Sequence, residues 1–493
     1  MPQHLSRREF LALTGAGLTL QILGTVSRAQ AQKSRPNILL MLAEDIGPDL
    51  QCYGVGEVQT PHLDRLAAEG MRYTQAFCVA PVCSPSRTAL LTGVYPYTIR
   101  AQHHRVHTPH PLPPGVQPIT HYLRAAGYYT AVGCGYSDKV DVNFLARDLF
   151  DGRDWSLRRR DQPFFAQITF KNTHRSWKGD PVQPVDPEVL EIPPYYPDHP
   201  LVRRDWARYL EEIQKMDRMV GAVLRRLQDE GLAENTLVIF TADNGRAHVR
   251  GKQFLYDEGI HVPLIVRWPE RLRPGVSHRL ISNIDIPAAI LAAAGMPVPS
   301  YFAGHDFLHE QAQPREIIFA GRDRTDRTHD AIRAVRSHDF KYILNLMPER
   351  AWCQYNEYKE RKYPALALMN VMNLEGELPP HQARFMAARK PVEELYDLRN
   401  DPFELHNVAG NPRYLPVLLE MRQRLGFWRL GQGDGAVSRA YREGGWPAVY
   451  PTRSLAEWRR ILAAWEEHLY YGRAHPNVTP SRIILAARRK KRG

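Results

Sequence analysis

Three largely apolar runs stand out along the chain: Asn37–Ala43, Phe164–Phe170 and Thr236–Ala242. Each is long enough for a β-strand and short for a helix, and its hydrophobic positions do not alternate regularly with polar ones. Strands of this kind are buried on both faces, as in a parallel sheet. The pattern therefore predicts the centre of a parallel β-sheet.

A helical pattern precedes the third of these runs. Hydrophobic residues recur there mostly at steps of three and four, which is typical of one face of an amphipathic helix, and Gly231 would end it. A helix that runs directly into a buried strand is half of a crossover unit, and ligands bind beyond the carboxyl ends of such strands. We therefore expect the residues that follow the strands to meet at one edge. The hydrophobic positions are Trp206, Leu210, Ile213, Met216, Val220, Val223, Leu224 and Leu227.

Side chains that can bind a metal follow all three predicted strands. Glu44 and Asp45 follow the first, Asp243 and Asn244 follow the last, and His174 lies shortly after the middle one. A single acidic pair after a strand is more often a turn or a helix cap, but the repetition favours a shared site. Oxygen ligands suit calcium or magnesium better than zinc, and we expect calcium.

The chain changes character after Gly304. The strand-like runs become shorter, as at 317–320 and 342–344, and Pro379-Pro380 marks a joint. The length of 493 residues also exceeds what one core usually supports. We predict an α/β fold, with a large mixed, mostly parallel sheet flanked by helices and a smaller C-terminal α+β domain. The expected bounds are 35–305 for the main domain with the site, 306–440 for the smaller domain and 441–493 for an extension with a basic tail.

Residues 1–31 have the layout of an export signal. The pair Arg7-Arg8 precedes an apolar run that extends to Gly24, and the small residues Ala29 and Ala31, one residue apart, resemble a cleavage site. The arginine pair resembles that of a twin-arginine signal, which exports folded proteins from the bacterial cytoplasm. We expect a periplasmic or secreted protein, whereas a chance arginine pair is the alternative.

Composition narrows the class of protein. With 43% hydrophobic and 24% charged residues the chain is that of an ordinary globular protein, and no stretch approaches the roughly 20 apolar residues of a membrane span. The net charge of +12 favours an anionic partner, but part of it lies in the terminal run 488–492 and no nucleic-acid motif accompanies it.

The cysteines are too few and too scattered for a disulfide framework or a paired-cysteine zinc site; they are Cys52, Cys78, Cys83, Cys134 and Cys353.

One cysteine lies in a distinctive motif. Cys83-Ser84-Pro85-Ser86-Arg87 precedes a stretch that is typical of a short helix ended by Gly93. The free N–H groups and the dipole at a helix start favour an anion near Cys83. On this fragment alone, a structural cysteine at a helix cap is an equal alternative.

The motif resembles that of the formylglycine-dependent sulfatases of the alkaline-phosphatase-like superfamily, Cys-x-Pro-x-Arg followed by Leu-Thr-Gly. The resemblance extends from about Arg35 to Gly410 and includes further segments in order. These are the strand ending at Glu44-Asp45 and the segments 60–66, 241–245, 256–263, 394–398 and 401–404.

The resemblance implies a calcium site and a modified nucleophile. Cys83 would be oxidised to formylglycine by a maturation enzyme, and its hydrate would offer one hydroxyl to attack the sulfate ester and another to expel sulfate. Arg87 would lie beside it, and Lys252 and His174 would bind the sulfate oxygens. The implied metal ligands are Glu44, Asp45, Cys83, Asp243 and Asn244.

Two positions depart from the family pattern. Glu44 stands where the family more often has aspartate, which retains an oxygen ligand. Where the family commonly has Gly-Lys-x-His, this chain has Gly133-Cys134-Gly135-Tyr136. An ungapped alignment puts Cys134 in the lysine position, whereas a short insertion puts Lys139 there, and we favour Lys139 as a catalytic residue.

The expected activity is hydrolysis of a sulfate ester, possibly on an acidic glycan, with His174 or Lys139 as the general acid. The alternatives are a phosphonate or phosphate ester hydrolase with the same nucleophile, and an inactive glycan-binding homologue. Polar clusters in predicted loops would contact the sugar or remain solvated; they are His103, His104, Arg105, Arg322, Asp323 and Arg324.

Overall fold

A computed structural model describes residues 35–434, except 107, 270, 310, 311 and 327, and residues 453–472. The predicted export signal and the basic run 488–492 lie outside the described residues. Seven strands form the larger sheet within the described part: β1 Asn37–Ala43, β2 Met71–Phe77, β3 Tyr129–Val132, β4 Phe164–Phe170, β5 Thr236–Ala242, β6 Leu264–Arg267 and β7 Gly275–Ser282. The three strands predicted from apolar runs are thus confirmed as β1, β4 and β5.

The larger sheet is mixed and mostly parallel, in the order β3-β4-β1-β5-β6-β2-β7. β1 lies between β4 and β5 and is parallel to both, while β6 is antiparallel to its two neighbours. Every residue of β1, β4 and β5 is buried, as unbroken apolar strands require. These three strands form the centre of the core.

Helices pack around this sheet in two groups. The first group consists of α1 Pro61–Ala68, α4 Pro200–Asp229, α8 Pro364–Glu375 and α11 Leu455–Tyr471, and the second of α2 Cys83–Thr92, α3 Ile119–Ala125 and α6 Asp285–Ala293. The predicted amphipathic helix is α4, which buries Trp206, Leu210 and Ile213 among others. In the part of the chain that the structure describes, no helix is both long and apolar enough to cross a membrane.

A second sheet follows, with four antiparallel strands in the order β11-β10-β9-β8. These strands are β8 Ile318–Arg322, β9 Ile332–Arg336, β10 Phe340–Asn345 and β11 Glu393–Asp397. Val335, Tyr342 and Leu395 pack together with Trp428 of the helix Leu415–Gly431, whereas Ile332 and other residues on the opposite face join the main core. The predicted smaller C-terminal domain and the α/β fold class are therefore confirmed.

The remaining elements are short, apart from α10 Leu415–Gly431. They are α5 Asp257–Ile260, α7 Glu357–Lys362, α9 Pro380–Phe385 and the 3₁₀ turns Gln51–Tyr53, Trp155–Leu157, Pro187–Val189, Ala233–Asn235 and Pro412–Tyr414. α11 falls within the predicted extension 441–493 and packs against α8. The domain bounds at 305 and 440 stay predictions.

Candidate active site

The strand register brings the predicted acidic residues together. Ala43 pairs with both Phe170 and Ala242, so β1, β4 and β5 end in one row and their following residues meet. The Asp45 backbone N–H donates to Asp243 Oδ1 over 3.1 Å, and Asn244 Nδ2 donates to Asp45 Oδ1 over 2.9 Å. Asp45 has a left-handed backbone (φ +58°), which aspartate adopts more readily than most residues. The predicted convergence at one edge is therefore present.

Cys83 is the first residue of α2 and its side chain is fully buried against these acids. Its sulfur and one carboxylate oxygen each of Asp45 and Asp243 lie within 4.8 Å of one another. Burial, together with the charge of Asp243, raises the pKa of the Cys83 thiol well above its usual range. An unmodified Cys83 would therefore be a protonated thiol at neutral pH.

The helix that carries Cys83 is closed as predicted. Gly93 follows α2 with a left-handed backbone (φ +67°), and its N–H donates to the carbonyl of Ala89 over 2.9 Å. A Cβ at Gly93 would lie 2.3 Å from the ring of Phe302, so a larger residue would clash there. The glycine thus fixes how α2 leaves the site.

Three cationic side chains face the acids, of which Lys252 and Arg87 are buried. Lys252 Nζ lies 2.6 Å from Asp45 Oδ1 and 3.3 Å from Cys83 Sγ. Arg87 Nε donates to Asp243 Oδ2 over 2.8 Å. Burial alone would raise the pKa of Asp45, but the charges of Lys252 and His174 outweigh it and hold that pKa below its usual range.

Lys139 completes this set of cations. Its Nζ lies 2.9 Å from Glu44 Oε2 and 3.3 Å from Asp141 Oδ2. Cys134 lies elsewhere: its backbone N–H donates to the Arg153 carbonyl, and it is buried in the hydrophobic core. The geometry therefore brings Lys139, and not Cys134, to the acids, in agreement with an insertion in this loop.

His174 lies at the outer side of the cluster. Its Nε2 is 3.8 Å from Asp45 Oδ2 and its side chain is 29% exposed. Nδ1 lies 2.7 Å from the Arg175 carbonyl, which can only accept, so Nδ1 carries a proton and Nε2 faces the site. Burial lowers the pKa of His174, although the charge of Asp45 opposes the shift. Burial is thus the larger of the two influences on the pKa of His174.

Two buried oxygen atoms indicate whether the site can hold a cation. Glu44 Oε1 and Asn244 Oδ1 have no hydrogen-bond partner among the described residues. A buried polar atom without a partner is costly, and a bound ion is one explanation for it. With the carboxylates of Asp45 and Asp243, they form an oxygen-rich donor set that suits a hard divalent cation. The residues present thus fit the expected metal.

The predicted polar loops divide into two sets. The Arg105 backbone N–H donates to Ser84 Oγ over 2.8 Å, next to Cys83, and its guanidinium lies 3.2 Å from Asp141 Oδ2. Arg324 Nη2 donates to the Arg105 carbonyl, and the His104 N–H donates to the Arg324 carbonyl. These three residues therefore lie near the site.

The other polar residues are engaged elsewhere. Asp323 pairs with Arg333, and Arg322 lies 3.8 Å from Asp330, all within the second domain. The His103 carbonyl accepts a hydrogen bond from Asn143 Nδ2. Sequence reasoning thus grouped residues that the fold separates.

Three residues at the site were missed from the sequence. Thr169, near the end of β4, accepts a hydrogen bond from Arg87 Nη1 over 3.1 Å, and its place in a predicted strand was an available signal. Asp141 lies two residues after Lys139 and pairs with it. The Tyr358 ring lies 5.7 Å from the ring of His174, and no local pattern indicated this contact from the second domain.

The chain is similar to known proteins over most of its length. The family model described as Sulfatase matches residues 36–143 and 135–296, and the model described as N-sulphoglucosamine sulphohydrolase, C-terminal, matches 245–362. An ulvan-active sulfatase of Formosa agariphila is 35% identical over 82% of this chain and 76% of its own. The chain belongs to the sulfatase family. In this sulfatase, Lys252 and Tyr358 both lie within residues 245–362, which match the second of these models.

Two further similarities support the assignment of this sulfatase. Human N-sulphoglucosamine sulphohydrolase is 27% identical over 80% of this chain and 90% of its own. A solved structure of a protein in complex with its substrate D-glucosamine-2-N,6-O-disulfate has a TM-score of 0.62 and 18% identity, over 83% of this chain and 100% of that one. The last similarity shows a shared fold.

Proposed function

We propose that this sulfatase removes sulfate from a sulfated glycan, with formylglycine made from Cys83 as the nucleophile and calcium as the bound metal. One observation carries the proposal: Cys83 lies at the start of a buried helix, between the carboxylates of Asp45 and Asp243 and the ammonium of Lys252. A helix start and a buried lysine favour an anion at this point.

Four residues would hold the metal: Glu44, Asp45, Asp243 and Asn244, with the modified Cys83 as a further ligand. The support is the oxygen-rich donor set and the two buried oxygens that have no hydrogen-bond partner among the described residues. When bound, calcium would act as a Lewis acid that polarises the sulfate group and makes the formylglycine hydroxyl a better nucleophile.

The cationic side chains would bind the sulfate. A sulfate ester repels nucleophiles because its oxygens carry negative charge, so fixed positive charge must offset this. Lys252 lies closest to Cys83, and His174 Nε2 faces the same space from the outer side. Arg87 is held by Asp243 and Thr169, so it would contribute its charge and orient Asp243.

The glycan part of the proposal rests on relatives. The similar proteins include an ulvan-active sulfatase and N-sulphoglucosamine sulphohydrolase, whose names refer to a polysaccharide and to an amino sugar. In this chain, the exposed guanidinium of Arg105 lies at the side of the site and offers a polar contact to a sugar. Both features favour a sugar sulfate over an apolar one.

Maturation and export form a further part of the proposal. Cys83 has no exposed surface, so a formylglycine-generating enzyme would need the chain before it has folded. A twin-arginine signal exports folded proteins, which places the oxidation in the cytoplasm before export. We therefore propose a bacterial protein that is modified first and then exported to the periplasm or outside the cell.

Mass spectrometry of the Cys83 peptide tests the nucleophile. The protein is expressed with and without a formylglycine-generating enzyme, and turnover of 4-nitrophenyl sulfate and 4-nitrophenyl phosphate is measured on both samples. We expect an aldehyde at Cys83 only with the maturation enzyme, and sulfatase turnover only in that sample. Persistence of the thiol would support the inactive glycan-binding alternative, and faster phosphate turnover would support the phosphate ester hydrolase.

Metal removal tests the cation. We expect a chelator to lower kcat/KM at least about a hundredfold, and added calcium to restore it, because calcium stabilises charge that develops in the transition state. Asp243→Ala should contain less calcium by elemental analysis than wild type. Asp49→Ala is the matched control, since Asp49 is also a buried carboxylate but pairs with Arg246. Equal calcium content in both variants would contradict the ligand assignment.

A further inference from the structure

The C-terminal end of helix α7, in the second domain, is hydrogen-bonded to the loop that carries His174. Arg175 Nη1 donates to the Lys362 carbonyl over 2.9 Å, and Lys362 Nζ donates to Ser176 Oγ over 2.9 Å. The Arg175 guanidinium also lies 4.4 Å from the ring centre of Tyr363. These contacts hold the end of α7 in a fixed position beside His174.

The same helix is also hydrogen-bonded to the loop that leads to Lys252. Lys359 Nζ donates to the Val249 carbonyl over 2.7 Å, and the ammonium lies 4.5 Å from the ring centre of Phe254. Asn356 Oδ1 accepts from the Lys359 backbone N–H over 3.0 Å and caps α7. The helix therefore spans the two loops that present the sulfate-binding cations.

Tyr358 is the residue of α7 that reaches the site. Its ring centre lies 5.7 Å from that of His174 and 5.8 Å from Lys252 Nζ. The residue is only partly buried, yet its hydroxyl oxygen is shielded and has no hydrogen-bond partner among the described residues. A shielded hydroxyl without a partner is unfavourable in the free protein, and a ligand that supplies one would relieve that cost.

The exposure of the side chains at the site indicates which part of a bound sulfate ester would contact Tyr358. Cys83 and Lys252 are buried at the base of the site, whereas His174 and Tyr358 are partly exposed at its mouth. The sulfate group must lie beside Cys83 for attack, so the organic part of the ester extends from there towards the partly exposed side chains, His174 and Tyr358 among them. The tyrosine thus faces the carrier of the sulfate.

We propose that Tyr358 is a specificity-determining residue that binds the sugar ring carrying the sulfate. Its hydroxyl donates a hydrogen bond to an oxygen of the sugar, and its ring packs against the sugar's apolar face. This assignment rests on the proposed function and extends it to a residue of the second domain. A tyrosine suits the task because it joins an apolar face to a polar end.

Paired substrates test the proposal. Tyr358→Phe removes the hydroxyl but keeps the ring beside His174, and each protein is assayed with 4-nitrophenyl sulfate, N-sulfoglucosamine and sulfated ulvan oligosaccharides. We expect kcat/KM for the sulfated sugar to fall about tenfold or more, the effect of one lost hydrogen bond to a ligand, while the aryl sulfate changes less than about twofold. Inhibition by the desulfated sugar should weaken by a similar factor.

The controls separate binding from folding. Tyr414→Phe also removes a tyrosine hydroxyl from the second domain, one that donates to Asp397, and should leave both activities unchanged. Tyr358→Leu should lower sugar turnover further, because the ring is lost as well. Thermal unfolding of each variant is measured alongside.

Three outcomes would overturn the assignment of Tyr358. They are equal losses on sugar and aryl sulfates, unchanged turnover of both by Tyr358→Phe, and a wild-type enzyme that hydrolyses the aryl sulfate but no sulfated sugar. A wild-type protein that hydrolyses none of the esters although its Cys83 is modified would instead refute the proposed function itself.

Discussion

The base and the mouth of the site are built in different ways. The base consists of residues that directly follow β1 and β5 and of the first turn of α2, all placed by strand register, together with Lys139 and Lys252 from two loops. The mouth includes Tyr358, which comes from the second domain and is placed by side-chain contacts between distant segments. The base thus depends on the backbone of the sheet, and the mouth depends on docking.

Charge differs between the two regions as well. At the base, the carboxylates of Glu44, Asp45 and Asp243 face nearby cations, so the buried charges offset one another. At the mouth, Tyr358 presents a ring and a hydroxyl that has no hydrogen-bond partner among the described residues. We infer that the base determines the reaction and the mouth determines the sulfated carrier.

Loss of the nucleophile should give the largest effect. We expect Cys83→Ala to lower kcat at least about a thousandfold on every sulfate ester, because the residue that would form the covalent intermediate is gone. Turnover of 4-nitrophenyl sulfate measures the change.

Cys353→Ala is the matched control, since Cys353 lies in the second domain and is a free cysteine. This variant should retain wild-type turnover. Full activity of Cys83→Ala would show that the base does not hold the nucleophile.

Sequence patterns predicted the base well, for a physical reason. Apolar runs identify buried strands, parallel strands end in one row, and Asp45 and Asp243 follow those ends by one or two positions. The amphipathic period likewise predicted α4, and the glycine at 93 predicted the end of α2. Each of these inferences needs only local sequence and a general rule of sheet geometry.

The mouth could not be predicted in the same way. Tyr358 reaches His174 across more than a hundred residues of chain, and its neighbours form a short helix with no distinguishing pattern. The polar clusters at 103–105 and 322–324 were noticed, but only some of their members face the site. Contacts made by docking depend on the whole fold, so a local pattern does not indicate them.

Substitutions at His174 and Lys139 should identify the general acid. We expect His174 to protonate the leaving oxygen, because it lies at the mouth, whereas Lys139 is held by Glu44 and Asp141. His174→Ala should lower kcat about a hundredfold on a sugar sulfate, whose alkoxide is a poor leaving group, and much less on 4-nitrophenyl sulfate. Lys139→Ala should affect both esters equally.

A reversed result would exchange the two roles. If Lys139→Ala discriminates between the two leaving groups and His174→Ala does not, the proton comes from the base of the site, and the mouth only binds. The ratio of kcat values for the two esters is the measurement, since it cancels any loss of active protein.

The last effect concerns the docking of α7 and is measured on stability, not on activity. Burial lowers the pKa of Lys359 from 10.5 to about 7 in the folded protein. Between these values the unfolded chain binds more protons, so the stability of wild type should rise with pH from 7 towards 10.5. Lys359→Met removes this pH-dependent contribution to the free energy of unfolding. The stability of the variant should therefore increase less with pH than that of wild type, by at most about 4 kcal/mol. Urea unfolding at pH 7 and 9.5 measures it, with the exposed Lys178→Met as the control. If the free energy of unfolding of Lys359→Met increases between pH 7 and 9.5 as much as that of wild type, the buried amino group of Lys359 does not influence the docking of the second domain.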